Sequence, residues 1–309
     1  MEKRNGVLRN PRAIGIVCAS VATGLGLAYM AAAGAPTNHL VVNALALAMG
    51  LAIFAIVQLS VRAPRLPGWV AFVLAGSLLA TALFGVPVEG ASRWIRVGGL
   101  TLQLSLIVLP TMLVAFAQRR DFLVTLSVIL TAVALALQPD RAMAGVLVST
   151  FAVLGVYRQD RSVVSAIVVA LAAFTVTLIR PDSLPAVPYV DQILYTAFQV
   201  HAMAGMAVVG GTLLLIVPAI VGQRLDPDNR SVYAVFGAVW LGMVVAAALG
   251  NYPTPLVGYG GSAILGYALS LSFMPGKLRS AAVAERRASN VARPERNGDS
   301  VLRIGIGYG

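Results

Sequence analysis

The sequence contains few charged residues. Only 11% of its 309 residues are Asp, Glu, Lys or Arg, whereas an average globular domain has about 25%. A soluble protein of this length would need more charge to cover its surface, so the composition excludes a large soluble enzyme. Apolar residues make up 58% of the chain, and the mean hydropathy is +0.83. These values predict a polytopic membrane protein, whose lipid-facing surface needs no charge.

Side chains that form disulfides or bind soft metals are also scarce. The chain has one cysteine, Cys18, and two histidines, His39 and His201. A single cysteine cannot form a disulfide within the chain, and these three side chains are too few for a structural zinc site. The composition therefore predicts no metal site built from Cys and His.

Long apolar stretches recur along the whole chain. Their lengths are close to the roughly 20 residues that a helix needs to cross about 30 Å of hydrocarbon. We predict an all-α integral membrane protein with about ten transmembrane helices. The predicted spans lie near residues 13–34, 40–61, 68–88, 101–117, 122–137, 142–157, 163–179, 203–222, 232–250 and 260–275.

The distribution of basic residues predicts how the helices are oriented. If the N-terminus is cytoplasmic, the inner segments contain 19 of the 23 Lys and Arg residues. Because cytoplasmic loops are enriched in Lys and Arg, both termini are predicted to be cytoplasmic. The net charge of +11 then reports orientation, not nucleic-acid binding. The predicted parts are a cytoplasmic N-terminus (1–12), a ten-helix membrane domain (13–275) and a basic, disordered cytoplasmic tail (276–309).

Eight charged residues remain on the predicted outer side, and their net charge is zero. An arginine can bind phosphate or pyrophosphate through two hydrogen bonds, and a carboxylate near a hydroxyl group can act as a general base. The alternative is that these groups form ion pairs that anchor loops at the membrane surface. The eight residues are Glu89, Arg93, Arg96, Asp140, Arg141, Arg180, Asp182 and Asp191.

Three predicted outer segments contain motifs in a fixed order. The first reads Val88-Glu-Gly-Ala-Ser-Arg-Trp-Ile-Arg-Val-Gly-Gly-Leu100, with Leu-Gln-Leu-Ser at 102–105. The second reads Leu137-Gln-Pro-Asp-Arg-Ala-Met-Ala144, and the third reads Pro253-Thr-Pro-Leu-Val-Gly-Tyr-Gly-Gly-Ser262. In order and spacing these strings resemble the SEDS family (shape, elongation, division and sporulation; FtsW/RodA/SpoVE type). The resemblance extends over roughly residues 10–275 and implies a SEDS-like bundle of ten helices.

The resemblance also implies an activity and a location. Members of the family polymerise the lipid-linked peptidoglycan precursor lipid II at the outer face of the bacterial cytoplasmic membrane, usually with a class B penicillin-binding transpeptidase. The reaction is a glycosyl transfer that expels undecaprenyl pyrophosphate, and a divalent cation such as Mg²⁺ or Mn²⁺ could steady this leaving group. Motif positions that imply substrate binding are Arg93, Trp94, Gln103, Gln138, Asp140, Tyr259, Gly260, Gly261 and Ser262.

The family's essential aspartate corresponds to Asp191, which is the implied general base. It lies in the outer segment between the seventh and eighth spans and is followed by an apolar and aromatic run. If this run is helical and includes Asp191, then Asp191, Tyr195 and Gln199 share one face. We therefore expect Asp191 to lie in water at the outer membrane surface.

Several positions depart from the family pattern. The glycine-rich string before the aspartate is missing, because only 180–190 separate Asp191 from the seventh span. Gln103-Leu-Ser-Leu-Ile-Val-Leu109 has leucines where the family has Glu and Lys, and Gly258 replaces a serine. The Glu pair that follows the aspartate is replaced around His201. Two alternatives to an enzyme follow: a non-catalytic scaffold for a class B penicillin-binding protein, or a flippase for lipid-linked precursors.

Overall fold

The structure is a computed structural model that describes residues 10–60, 65–88, 91–180 and 184–275. The predicted tail, most of the predicted N-terminal segment, Glu89 and Asp182 lie outside these described residues. Five helical segments are long and apolar enough to cross a membrane, and five shorter apolar helices accompany them. These ten segments coincide with the ten predicted spans, which confirms the predicted all-α membrane fold.

The described residues form twelve α-helices, two of which together make the eighth span. Their bounds in chain order are α1 Pro11–Ala32, α2 Thr37–Ser60, α3 Gly68–Phe84, α4 Leu104–Gln118, α5 Phe122–Leu137, α6 Arg141–Tyr157, α7 Arg161–Ile179, α8 Ile193–Val200, α9 Ala202–Leu214, α10 Val217–Leu225, α11 Arg230–Leu249 and α12 Gly261–Phe273.

A small antiparallel sheet replaces part of what the sequence predicted as helix. The third span was predicted to reach residue 88, but α3 ends at Phe84, and α4 begins at Leu104, three residues later than predicted. Between them lie β1 (Val86–Val88), β2 (Ala91–Val97) and β3 (Leu100–Gln103), in that spatial order. Gly98 and Gly99 have φ values of 56° and 82°, which suit the tight two-residue turn of a hairpin. This Gly-Gly pair was the overlooked hairpin signal.

Helix α12 lies in the centre of the bundle. Nearly all of its residues are buried, whereas α2 buries only Asn43, Ala46 and Gly50. Close contact with α4 depends on Gly266, because a Cβ atom there would overlap the carbonyl oxygen of Leu106. The central position of α12 matters for the site, because the loop that leads into it carries the third motif.

The predicted eighth span is interrupted at Leu215 and Ile216, between α9 and α10. Pro218 follows the break and has no N–H group to donate. The fully buried Tyr267 of α12 donates a hydrogen bond from its hydroxyl to the Leu215 carbonyl, at 3.0 Å. Lipid cannot satisfy a free carbonyl, so this side chain makes the break tolerable within the bundle.

At the inner end of the bundle, side chains from several helices hold the C-terminus of α12. The last carbonyl groups of a helix have no partner within the helix. Here four consecutive carbonyls each accept a hydrogen bond from a different side chain. The pairs are Gln58 with Ser272, Gln118 with Phe273, Arg12 with Met274 and Tyr233 with Pro275. All four donors were predicted to lie near the cytoplasmic side.

Candidate functional site

The outer end of the bundle, defined here as the end predicted to lie outside, brings the three motif segments together. Strands β2 and β3 carry the first motif, and the loop before α6 carries the second. The third motif forms the loop 253–262, which leads into α12. The segment 184–192, which contains Asp191, lies against this loop. The loops that the charge pattern assigned to the outer side therefore lie together at one end of the bundle.

Asp140 joins two of the motifs. Its side chain is fully buried. One oxygen, Oδ2, accepts hydrogen bonds from Gln103 Nε2 at 3.1 Å and from Ser105 Oγ at 3.0 Å. The other, Oδ1, accepts from the Met143 N–H at 3.2 Å and so caps the N-terminus of α6. The Asp140 carboxylate is therefore committed to partners within the protein.

Two further polar side chains of these motifs make hydrogen bonds within the protein. Ser262 Oγ accepts a hydrogen bond from the Gln103 N–H at 3.1 Å, which ties the start of α12 to β3. Gln138 is fully buried and donates from Nε2 to the Leu78 carbonyl at 2.7 Å. These contacts fix β3, the Gln138–Asp140 loop and α12 relative to one another.

Arg93 of β2 points into the protein and not into solvent. Its side chain is 3% exposed and donates from Nη2 to the Pro139 carbonyl at 3.0 Å. The guanidinium carbon also lies 5.6 Å from the centre of the Trp94 ring, within the range of a cation–π contact. The half-buried Trp94 faces Gln103 across the sheet. Arg93 thus holds the second motif against the first.

The structure corrects the predicted setting of Asp191. We expected it on a helix face in water, but it lies before α8 and is only 8% exposed. Tyr195 and Gln199 are exposed, as expected for a polar face. Gln192 has a left-handed backbone conformation, with φ of 58°, and so separates Asp191 from the helix. A helical-wheel argument could not foresee this break.

The backbone around Asp191 is bound to the loop 253–262. Asp191 forms an isolated antiparallel bridge with Pro253. The Thr254 N–H donates to the Val190 carbonyl at 3.0 Å, and the Tyr259 N–H donates to the Tyr189 carbonyl at 2.7 Å. The candidate base and the third motif are therefore parts of one rigid loop pair.

One oxygen of the Asp191 carboxylate has no partner. The other oxygen, Oδ2, accepts from the Val187 N–H at 2.9 Å, whereas Oδ1 is buried without a hydrogen bond in the described protein. Burial raises the pKa of Asp191 above its usual value, and the hydrogen bond from Val187 opposes this shift. A carboxylate with a raised pKa and a free oxygen is a stronger base than an exposed aspartate.

Strained backbone surrounds this carboxylate. Tyr189, Gln192 and Leu256 have φ values of 63°, 58° and 63°, in the left-handed region that side chains disfavour. Each such conformation costs about 1–3 kcal/mol and persists only where its surroundings enforce it. Two of these residues lie within two positions of Asp191, and the third lies in the facing loop. A fourth, Pro139, has a φ value of 26° and lies next to Asp140, so backbone strain occurs in both groups of motif residues.

The Tyr259-Gly260-Gly261 turn is fixed by residues that the motifs did not predict. Asn43 of α2 donates from Nδ2 to the Gly258 carbonyl at 2.8 Å and accepts from the Gly260 N–H at 3.0 Å. His39 stacks on the Tyr259 ring, with 3.8 Å between ring centres. Asn43 had a sequence signal, since a polar residue inside an apolar span usually faces protein.

Gly26 of α1 packs directly against the backbone of loop 253–262. A Cβ atom there would overlap the Val257 carbonyl oxygen and lie 2.6 Å from Val257 Cα. We expect Gly26→Ala to destabilise the protein by about 1–3 kcal/mol because this backbone cannot move freely. The matched control is Gly24→Ala, since a Cβ at Gly24 meets nothing within 4 Å. Thermal unfolding in detergent measures both, and equal midpoints would contradict the packing argument.

The donor groups of the site do not fit a protein-held divalent cation. In the described part of the chain, no three His, Cys, Asp or Glu side chains gather in a group suited to a metal ion. The Asp140 oxygens already accept three hydrogen bonds, so among the outer carboxylates that the structure describes one oxygen, on Asp191, is free. No reaction step is therefore assigned to Mg²⁺ or Mn²⁺.

The predicted site residues form two groups joined by the loop 253–262. One contains Asp191 and Tyr259 to Gly261, and the other contains Ser262, Gln103 and Asp140. Among the described residues no hydrogen bond joins the Asp191 and Asp140 side chains directly. Substrate binding by the motif residues stays a prediction.

Two structures of a rod shape determining protein share this fold. The crystal structure of the rod shape determining protein RodA of Thermus thermophilus is 20% identical, covers 84% of this chain and 93% of its own, and gives a TM-score of 0.59. An aspartate-to-alanine mutant of that protein is 19% identical, with coverages of 84% and 94% and a TM-score of 0.57.

A third structure, described as showing structural coordination of polymerization and crosslinking by a peptidoglycan synthase complex, is 21% identical. It covers 84% of this chain and 96% of its own, with a TM-score of 0.52. Neither a protein-family model nor a curated protein sequence matches the chain. The chain nevertheless has the RodA fold, as the motif resemblance to the SEDS family implies.

Proposed function

We propose that this protein is a divergent SEDS-type peptidoglycan glycosyltransferase of the bacterial cytoplasmic membrane. It polymerises lipid II at the outer face, with Asp191 as the general base. The observation that carries the proposal is the buried Asp191 carboxylate, whose Oδ1 has no partner and whose pKa is raised by burial. The RodA fold and the three ordered motifs support the substrate class.

In the proposed reaction, Asp191 removes the proton from the 4-hydroxyl of the acceptor sugar. The resulting oxygen attacks the anomeric carbon of the donor, the bond from that carbon to the pyrophosphate oxygen breaks, and undecaprenyl pyrophosphate leaves. A base is most effective when its pKa lies near the working pH, so burial helps Asp191 in this role. The strained loops hold the carboxylate in place before substrate arrives.

The other motif residues are proposed to shape the site around this base. The identified polar contacts of Arg93, Gln103 and Asp140 are made within the outer end of the bundle, and they keep the outer surface rigid. Trp94 and Tyr259 are partly accessible aromatic groups that suit contact with sugar or lipid. Rigid support of this kind lowers the cost of aligning donor and acceptor.

A non-catalytic scaffold for a class B penicillin-binding protein is the second candidate. The observation that favours it is that both Asp140 oxygens already accept hydrogen bonds within the protein. In the described outer end, one carboxylate then remains that could act on a substrate. The missing glycine-rich string and the leucines after Gln103 point the same way. The similarity to a peptidoglycan synthase complex supports a transpeptidase partner under either candidate.

Purified protein supplied with lipid II, alone and with a class B penicillin-binding protein, tests the proposal. Glycan chains resolved on a gel would support the enzyme, with the transpeptidase expected to increase their amount. No polymer in either arm would overturn it in favour of the scaffold. Movement of labelled lipid II across liposomes without polymer would instead identify a flippase.

A further inference from the structure

A groove of about 380 Å³ opens between α6 and α7 near their inner ends. Its walls are small and aliphatic side chains, among them Ala152, Gly155, Val164 and Ile167, and it ends at Arg158 in the connecting loop. Large apolar side chains at its edge are open, with Val156 80% exposed. In a membrane protein such a surface faces lipid.

Small residues of α6 line the groove. Gly155 has no side chain, and a Cβ atom there would lie 3.2 Å from Ile167 Cδ1, so Ile167 of α7 occupies the space opposite it. Ala152, one turn earlier, is exposed. The groove is therefore an open depression between α6 and α7.

Arg158 lies at the inner end of this groove. Arg158 is exposed and makes no hydrogen bond or ion pair through its side chain within the described ranges. Asp160, the carboxylate of the same loop, is already engaged: it pairs with Arg120 at 2.7 Å and accepts from the Val163 N–H at 3.1 Å. The Arg158 guanidinium is therefore accessible to an anion at the end of the groove.

We propose that the groove binds one anionic glycerophospholipid, with an acyl chain between α6 and α7 and the headgroup phosphate on Arg158. Size argues against a protein helix, because a single turn of an α-helix already occupies roughly 420 Å³, as much as the whole groove. Charge favours an anionic lipid, because a zwitterionic one brings its own cation to the phosphate. The proposal is independent of the glycosyltransferase reaction.

Native mass spectrometry of the full-length protein, with phosphatidylglycerol or phosphatidylcholine of equal chain length, tests this site. We expect one tightly retained phosphatidylglycerol, and Arg158→Gln should bind it about fivefold more weakly. Ala152→Phe should fill the groove and prevent retention of either lipid. The matched control Arg224→Gln removes an exposed inner arginine outside the groove and should change nothing. Asp191→Asn should also retain the lipid.

Some outcomes would overturn the proposal. Equal retention of the two lipids, or equal losses in Arg158→Gln and Arg224→Gln, would reduce it to general attraction between a basic surface and anionic lipid. Competition by inorganic phosphate alone would show that the acyl chain contributes nothing. Retention of a second protein chain that blocks lipid binding would assign the groove to a helix.

Discussion

Asp191→Asn is expected to reduce lipid II polymerisation by about 10²- to 10⁴-fold, the usual contribution of a general base. Asparagine has nearly the same shape and can still accept the hydrogen bond from Val187, but it cannot remove a proton. Initial rates of glycan synthesis at saturating lipid II measure the effect. The loss should fall on the catalytic step, because substrate contacts are left in place.

The same substitution should not unfold the protein. Because the folded-state pKa of Asp191 is raised, its protonated form is the one that stabilises the fold. That contribution is complete below the unfolded-state pKa and is lost as the pH rises through the folded-state pKa. Where Asp191 is ionised, its buried charge therefore costs stability, and asparagine removes that charge. Thermal unfolding in detergent should show an unchanged or higher midpoint.

A pH profile gives an independent check on Asp191. Activity of the parent protein should fall on the acid side at a pH above the ordinary range for aspartate, because the base must be ionised. The matched control Asp228→Asn changes an exposed aspartate at the inner end and should retain full activity. If Asp191→Asn polymerises lipid II at the wild-type rate, Asp191 is not the general base. A loss of activity caused by unfolding would be recognised by a lowered unfolding midpoint.

Asp140→Ala should destabilise the protein by about 3 kcal/mol or more. It removes the N-terminal cap of α6 and leaves two buried donors, Gln103 Nε2 and Ser105 Oγ, without their carboxylate acceptor. A lost cap costs about 1 kcal/mol, and hydrogen bonds to a charged group contribute about 1.5–3 kcal/mol each. The readout is the thermal midpoint in detergent, measured at one scan rate because membrane proteins often unfold irreversibly.

Asp160→Ala is the matched control for Asp140→Ala. Asp160 also caps a helix, α7, through the Val163 N–H, but its side chain is exposed and its ion pair with Arg120 lies at the surface. Surface ion pairs contribute little, so its loss should cost only about 1 kcal/mol. If the two variants unfold at the same temperature, the buried contacts of Asp140 carry no extra stability.

Most of the fold could be predicted because lipid imposes a strict rule on sequence. Each crossing needs a long apolar stretch, and these stretches predicted the helices to within a few residues. The sheet at residues 86–103 was missed for two reasons. β1 and β3 are short and mostly apolar, so hydropathy joined most of their residues to the neighbouring spans. β2 contains two arginines and lay in a predicted loop. The Gly98-Gly99 pair was the sequence signal that indicated a hairpin.

The site could be predicted only in part. Ordered motifs placed Asp191, Asp140 and Ser262 near the same outer surface. Periodicity put Asp191 in water, but the left-handed Gln192 turns the chain so that Asp191 becomes buried. Such a turn arises from tertiary contacts with the loop 253–262, which no local pattern encodes. The support of Tyr259 by His39 is of the same kind.

The contacts at the end of α12 have a consequence for biosynthesis. Arg12 enters the membrane with the first helix, yet its acceptor, the Met274 carbonyl, is made more than 260 residues later. Until then Arg12 and Gln58 can bind each other, but they and Gln118 lack the carbonyl acceptors at the end of α12. Insertion of α12 thus completes the hydrogen bonds at the inner end, and a chain that stops before α12 leaves these side chains without those acceptors.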